Sequence, residues 1–569
     1  MRFKPYLVAL SCLALVGVGA SHKLAVGQIV GIPLPSGADC FQSDAVLSLV
    51  LPGATRPTEV ILSGPTIVKR DMPQGNTIPT EILMMTLTGF HPEIGNLRVC
   101  KRKDRPSPGQ IIVRNPRRGT ADSFFDVFAE IDVTRQNQTI NLRMESPVRM
   151  SVENININRL PPVGKEYKSQ LPRTGIPLLM SNGQPSGMIL KAVIHRVIRQ
   201  WDNCPPLEGV DCFDSEAQLE IDFTFDGIAD EVIRLTGPTL VKRSHPGDND
   251  CDGLAEIETE IVALQLTGPS RVLGPIILVN DADMPSNGQV EQRRPSPAFF
   301  PAQSFFDVFF EVQTTFGTAG VGQTQPRAVV DALPPLNRPY RAPHAATVFD
   351  PITGQPIADI LGVRHIPRRQ LEWQPTFPPA GVDDFNSRGA FEICAATQQG
   401  TPDTERCIRT TAFGPTRVLR SNPITDPQTG LMHVDTEILS MNLTGTIPPG
   451  VFDPQQGARF QVIAGQQMNV PIPSRGFIQQ RRVGFPLPAQ SCFDVYFIIL
   501  VQVGTQTLTL CPRPEDAVRL CSIIYSIPPR TPYCPPGQTA IFIPLFDCSG
   551  GTPTGNPVAF IKVECHLPI

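Results

Sequence analysis

The chain has 569 residues with 49 basic and 53 acidic side chains, a formal net charge of −4 and the two signs interspersed along its length. That pattern excludes the clustered basic face by which proteins hold nucleic acid. Sixty-one prolines and forty-five glycines cut a chain into short segments joined by turns, which excludes long helices and fits an all-β fold.

Arg2 and Lys4 precede an apolar run from Tyr6 to Val18 that ends in the small residues Val18-Gly19-Ala20. This reads as a signal peptide over residues 1–20 and predicts an exported chain. A lipobox at Cys12 is the rival reading, and Ala9-Leu10-Ser11 fits it poorly. No later stretch holds the ~18 uninterrupted apolar residues of a membrane helix. The expectation is therefore a protein without a transmembrane segment, free outside the cytoplasm or held at the cell surface through a partner.

Beyond the leader the chain repeats itself. Asp39-Cys40-Phe41-Gln42-Ser43 returns as Asp211-Cys212-Phe213-Asp214-Ser215 and as Asp383-Asp384-Phe385-Asn386-Ser387, a constant step of 172 (39, 211, 383). Gly64-Pro65-Thr66 returns as Gly237-Pro238-Thr239 and Gly414-Pro415-Thr416. Thr80-Glu81-Ile82 returns as Thr259-Glu260-Ile261 and Thr436-Glu437-Ile438, followed each time by Leu-Thr-Gly. Ser123-Phe124-Phe125-Asp126-Val127 matches Ser304-Phe305-Phe306-Asp307-Val308 and Ser491-Cys492-Phe493-Asp494-Val495. A Pro-Pro pair with a following tyrosine (Tyr167, Tyr340, Tyr533) and an apolar run ending in His195, His365 or His566 close each copy. Units this long close their own cores, unlike solenoid repeats of ~20–50 residues. Three tandem domains are expected: repeat 1 over 21–205, repeat 2 over 206–378 and repeat 3 over 379–569.

Within a repeat the periodicity is that of strands. Ala45, Leu47 and Leu49 alternate with residues of the other face, and Val60-Ile61-Leu62, Thr66-Ile67-Val68 and Ile82 to Leu87 continue the pattern. Phe124 to Val133 follows as further strand, and its Phe-Phe-Asp-Val-Phe stretch is apolar on both faces, which places it centrally between layers. A two-layer antiparallel β-sandwich is the economical architecture, with a small second β lobe from the Pro-Pro pair to the histidine. Met188 to Trp201 fits a helix as well as a strand, and Pro367 in the matching run favours a strand.

Thirteen of the fourteen cysteines lie beyond the leader and eight of them in repeat 3. In an exported chain these form disulfides. Cys394 and Cys407 flank a hairpin tip, and Cys534 and Cys565 flank the last predicted hairpin. The odd number predicts a free or intermolecular thiol, and the absence of CxxC spacing argues against zinc.

Asp248-Asn249-Asp250-Cys251-Asp252-Gly253 puts oxygen ligands on alternate residues with a glycine for the bend, the way a short loop wraps calcium. Asp248, Asp250, Asp252 and Glu256 are the ligand set. Thr259 stands where an EF-hand carries its bidentate acid, and an Asp/Asn-rich turn capping its own backbone is the plain alternative. Asp71 to Asn76 and Asn422 to Gly430 lack the alternation, so calcium is expected in repeat 2 alone; no other cofactor is indicated.

Asp126, Asp307 and Asp494, with Glu81, Glu260 and Glu437, recur as a carboxylate pair suited to acid–base attack on a sugar. The simpler reading anchors them to backbone amides at a structural bend. Ser43, Ser215 and Ser387 with His195, His365 and His566 write a Ser/His/Asp set into each copy, without the Gly-x-Ser-x-Gly elbow of an activated serine. A structural histidine at a strand end is the competing assignment.

The combination Gly-Pro-Thr, Asp-x-Asp-x-Asp-Gly, Thr-Glu-Ile, Leu-Thr-Gly and Ser-Phe-Phe-Asp-Val-Phe-Phe-Glu, clearest from Asp211 to Glu311, resembles a group of uncharacterised exported bacterial repeat proteins. The resemblance implies export and a bacterial source and carries no activity. Together these readings predict a secreted or cell-envelope structural or binding protein, with calcium in repeat 2 and an extended extracellular or envelope macromolecule as partner. An extracellular hydrolase using the recurring carboxylates is the alternative.

Overall fold

The computed structural model describes residues 34–314, 317–342, 346–350, 353–536 and 542–569. The expected signal peptide, with Cys12, lies outside these residues. Among them the all-β expectation holds, for the strands form three 12-stranded antiparallel sheets and the helical segments are two short 3-10 turns, Gln466–Met468 and Pro514–Asp516. Among the described residues no helix is long and apolar enough to cross a membrane.

The first sheet is an up-and-down meander that closes on itself. Gly37–Val50, Thr58–Arg70 and Thr77–His91 pair in succession. The next long strand is split, Gly95–Lys101 pairing with one half of Thr77–His91 and Ser107–Asn115 with the other. Three more split strands follow: Thr120–Val127 with Ala129–Arg135, Gln138–Arg143 with Val148–Asn156, and Glu166–Ser169 with Ile176–Met180. Pro185–Gln200 is whole, takes up both pieces of the last split strand, and pairs with Gly37–Val50. It is a strand, not a helix, and the segment from Pro161 to His195 completes this sheet and forms no second lobe. Opposite walls pack as the layers of a sandwich do, around one core that includes Leu47, Leu62, Ile78, Leu97, Ile131 and Leu142.

The second sheet, from Gly209 to Gln370, repeats this order strand for strand. In the third, Gly381–Ala396 pairs with Thr554–Pro568, and the Tyr533–His566 and Cys521–Cys534 bridges complete the far side. Two landmark glycines have one cause, the close crossing of the second and third strands. A Cβ on Gly64, Gly237 or Gly414 would stand 1.9, 2.0 or 1.9 Å from the carbonyl oxygen of Thr86, Gln265 or Asn442, and the Leu-Thr-Gly glycines meet the second strand as closely.

Burial alternates along the wall and corrects one expectation. Ser123, Phe125 and Val127 point inward, whereas Phe124 and Asp126 face out; the strand is therefore a one-sided wall element and does not lie between two layers. Phe124 is covered instead by the Arg149 guanidinium, 4.2 Å from its ring centre. Arg102, between Lys101 and Lys103, is buried: it donates to Asp104 (2.9 Å) and to the Met144 carbonyl (2.9 Å), tying two strand interruptions together.

Among the described residues six disulfides are present, Cys394–Cys407 and Cys534–Cys565 among them as expected from the hairpins. Cys492–Cys521 and Cys511–Cys548 also lie within repeat 3. Cys40–Cys204 ties the first strand of repeat 1 to the segment leading out of it, and Cys100–Cys251 joins repeats 1 and 2. Cys212 is the free thiol among the described residues.

Candidate functional site

The period of two along the first strand puts Asp39, Phe41, Ser43 and Ala45 on one face, and each closed sheet gathers the same polar set on its inner side. Asp39 pairs with Arg70 at 2.9 Å, Asp211 with Arg243 at 2.7 Å and Asp383 with Arg420 at 2.5 Å. Ser43, Ser215 and Ser387 hydrogen-bond Thr66, Thr239 and Thr416 at 2.7, 2.8 and 2.8 Å. Tyr167, Tyr340 and Tyr533 donate to Ser123, Ser304 and Ser491 at 3.2, 2.9 and 2.9 Å. Each tyrosine stands directly across the ladder from the recurring histidine, Tyr167 from His195, Tyr340 from His365 and Tyr533 from His566.

Each histidine lines a small apolar cavity inside its own sheet, of about 70 Å³ in repeat 1, 80 Å³ in repeat 2 and 60 Å³ in repeat 3. Burial depresses all three imidazoles from 6.5 to about 4, the Asp44 carboxylate opposing this slightly at His195, so they are neutral near pH 7. Burial likewise raises Tyr167 and Tyr340 to about 12 and pushes Tyr533 up. The Nε2 atoms of His195 and His365 have no hydrogen-bond partner, and the serine hydroxyls are engaged by threonine. These interiors therefore hold neutral, already paired or apolar-walled groups with no activated nucleophile, and a space too small for a sugar.

The recurring acids lie on the other side of the wall. Asp126 is held by Arg149 (2.6 and 2.8 Å), Asp494 by Arg519 (both 2.8 Å) and Asp307 by the Gln325 amide (2.5 Å), all at the surface. Glu260 pairs with Arg482 of repeat 3 at 2.6 Å. The ladder sets Glu81 opposite Pro108, and Asp126 lies on the strand beyond, roughly two strand spacings or ~9–10 Å from Glu81 on an open outer face. The β wall thus separates the histidines and serines from the acids, and the Ser/His/Asp set written in the sequence is not assembled.

The acidic loop of repeat 2 rests on repeat 1. Asp248, Asp250 and Asp252 bring one carboxylate oxygen each to within 4.8 Å of the others. Thr86 donates to Asp248 at 2.6 Å and Arg98 to the Cys251 carbonyl at 2.7 Å, beside the Cys100–Cys251 disulfide. Asp248 also accepts the N–H groups of Asp252 (3.0 Å) and Gly253 (2.9 Å). Glu256 stands outside the group, its oxygens taken by the Asn249 N–H and the Gln289 amide. Burial raises the carboxyls of Asp248, Glu256 and Glu291, and the neighbouring aspartates raise them further.

Sequence reasoning missed Arg70, Arg243 and Arg420, which complete the buried ion pairs. Their signal is a recurring arginine four residues after the Gly-Pro-Thr threonine. It also missed that Thr66 and Ser123, read as landmarks, are the hydrogen-bonding partners of Ser43 and Tyr167.

A family model described as "Family of unknown function (DUF6073)" matches residues 195–365, one repeat period running from His195 to His365. Among solved structures the chain is similar to the "Structure of DynF from the Dynemicin Biosynthesis Pathway of Micromonospora chersina", with 22% identity over 30% of this chain and 83% of that one and a TM-score of 0.27. No curated protein matches.

Proposed function

We propose that this protein is a secreted or envelope-associated repeat scaffold that binds an extended macromolecular partner through the outer faces of its three sheets. The observation that carries this reading is the wall itself: the recurring histidines and serines are enclosed and neutral, while charged pairs such as Asp126–Arg149 and Asp494–Arg519 stand outside, where they meet solvent or a partner. Disulfides within and between repeats suit an oxidising compartment. Three linked copies gain avidity because a second contact is effectively intramolecular, which favours a repetitive partner such as a cell-wall polymer. Co-sedimentation of the full chain with isolated bacterial envelopes tests it. Binding is expected, to weaken as salt rises and to weaken further when Asp126→Asn, Asp307→Asn and Asp494→Asn are combined, with no glycan product released by the native chain. Absence of envelope binding, or sugar release by the native chain that this variant loses, would reject the scaffold.

Calcium at Asp248, Asp250 and Asp252 is a second proposal, favoured by three convergent carboxylates whose mutual repulsion a cation relieves. Calcium should raise the thermal midpoint over that in chelator, by the equivalent of about 2.7 kcal/mol at a hundred times Kd. Asp250→Ala should abolish the rise. Identical midpoints in calcium and chelator would reduce the loop to a turn.

A further inference from the structure

The two junctions between repeats use the same faces, but the second, beside an apolar cluster that includes Leu240, Ala263 and Tyr525, leaves a cavity. Between repeats 1 and 2, Ile67 and Met84 stand opposite each other on adjacent strands and pack with Cys40, Trp201 and Phe299 in one buried cluster. The Cys40–Cys204 disulfide closes that side, and Thr86 donates to Asp248 of the incoming repeat. The same ladder positions in repeat 2 carry Leu240 opposite Ala263, and Thr86 becomes Gln265, two residues beyond Ala263. Phe299, five residues before Ser304, becomes Pro486, five before Ser491. Cys204, nine residues after His195, becomes Gln374, nine after His365, which leaves Cys212 without its partner.

Methionine to alanine, phenylalanine to proline and the missing disulfide together hollow out the second junction. A cavity of about 470 Å³ lies there, lined by Leu240, Ala263, Gln265, Trp373 and Tyr525, with Cys212 on its wall. That volume falls in the range of roughly 300–1,000 Å³ typical of small-molecule sites. Gln265 is 2% exposed and its Nε2 has no hydrogen-bond partner. A buried donor left unpaired is costly, so it marks where an acceptor belongs. At the first junction the next repeat supplies that acceptor as Asp248. Glu372 is the one charged residue on the lining, which disfavours an anion.

We propose that the junction of repeats 2 and 3 binds a small, uncharged, largely apolar molecule through its ring or chain, with a carbonyl-type acceptor on Gln265 Nε2. This site is independent of the outer faces assigned to the macromolecular partner. Nile red, neutral and apolar with one carbonyl, is a suitable probe for the full-length chain. Its fluorescence should rise and saturate at one molecule per chain. Ala263→Met, which restores the side chain of the first junction, should weaken binding by at least about tenfold. Gln265→Leu, which keeps the walls and removes the donor, should weaken it about fivefold. Bound dye should also slow alkylation of Cys212 by iodoacetamide. No saturable binding to the native chain, undiminished affinity in Ala263→Met, or unprotected Cys212 would overturn the proposal. Should Ala263→Met fail to fold, Gln265→Leu and Cys212 protection decide it.

Discussion

Acidifying the protein from about pH 6.5 towards pH 4 will lower its thermal midpoint steeply, and replacing the three interior histidines will remove most of that fall. Burial holds His195, His365 and His566 at about 4, against 6.5 for an ordinary imidazole. As the pH drops through about 6.5 the unfolded chain takes up these protons, whereas the folded protein refuses them until about pH 4. The unfolded state binds more protons throughout that window, so the stabilisation is complete above it and lost progressively below. At the acid end it amounts to roughly 3 kcal/mol per histidine, and the sites are far enough apart to add. Asp39 and Asp211 act in the opposite sense. Burial raises their carboxyls despite the partner arginines, so the folded state gains their protons first as the pH falls, near the carboxylate range. The histidine effect is therefore cleanest between about pH 6.5 and 5. Calorimetric midpoints of the native chain and of His195→Leu/His365→Leu/His566→Leu provide the check. The variant starts lower at pH 7.5, having lost ring contacts with Tyr167 and Tyr340, but its midpoint should stay nearly level to pH 5. Parallel decline in both proteins would show that other groups control acid unfolding.

What the sequence made legible, and what it hid, follows from how far apart the interacting residues are. The alternation of Ala45, Leu47 and Leu49 reports the inner face directly, because side chains in a strand have a period of two. Cys394–Cys407 and Cys534–Cys565 were readable because each pair flanks a local hairpin. Closure of Pro185–Gln200 onto Gly37–Val50 was not readable, since nothing local in either strand names a partner more than a hundred residues away. The Cys100–Cys251 bond and the donation from Thr86 to Asp248 cross a repeat boundary and were hidden for the same reason. Phe124 and Phe125 show a different limit. Both are apolar, so alternation alone does not say which one faces in, and the choice falls to neighbours: Ser123 must reach Tyr167 inside, and Asp126 must reach Arg149 outside. Assigning Asp126 to a catalytic pair required it to share an enclosed cleft with Glu81, whereas the two stand apart on the open outer face of the wall.

Arg70→Met will cost roughly 3–5 kcal/mol of stability, whereas Arg149→Met will cost about 1 kcal/mol or less. The two arginines make similar bidentate contacts with an aspartate, Arg70 to Asp39 at 2.9 and 3.3 Å and Arg149 to Asp126 at 2.8 and 2.6 Å. Their surroundings differ. Asp39 and Arg70 are 9% and 8% exposed, so removing the guanidinium strands a carboxylate beside an apolar core. Asp126 stays at the surface when Arg149 is lost, and water replaces the partner. The magnitude of the first effect is thus the desolvation of an orphaned charge, not the strength of a contact. Asp39→Leu combined with Arg70→Met should consequently recover most of the loss, because an apolar pair of similar volume leaves nothing uncompensated. Denaturant unfolding of the three variants separates these terms. Equal costs for Arg70→Met and Arg149→Met, or a double variant as unstable as the single one, would mean that the ion pair itself holds the sheet together. Asp211–Arg243 and Asp383–Arg420 repeat the arrangement, so the same contrast is expected in repeats 2 and 3. There the pairs line the wall of the cavity beside His365 and His566, and a carboxylate orphaned at that place would face an apolar space with no donor to replace the arginine.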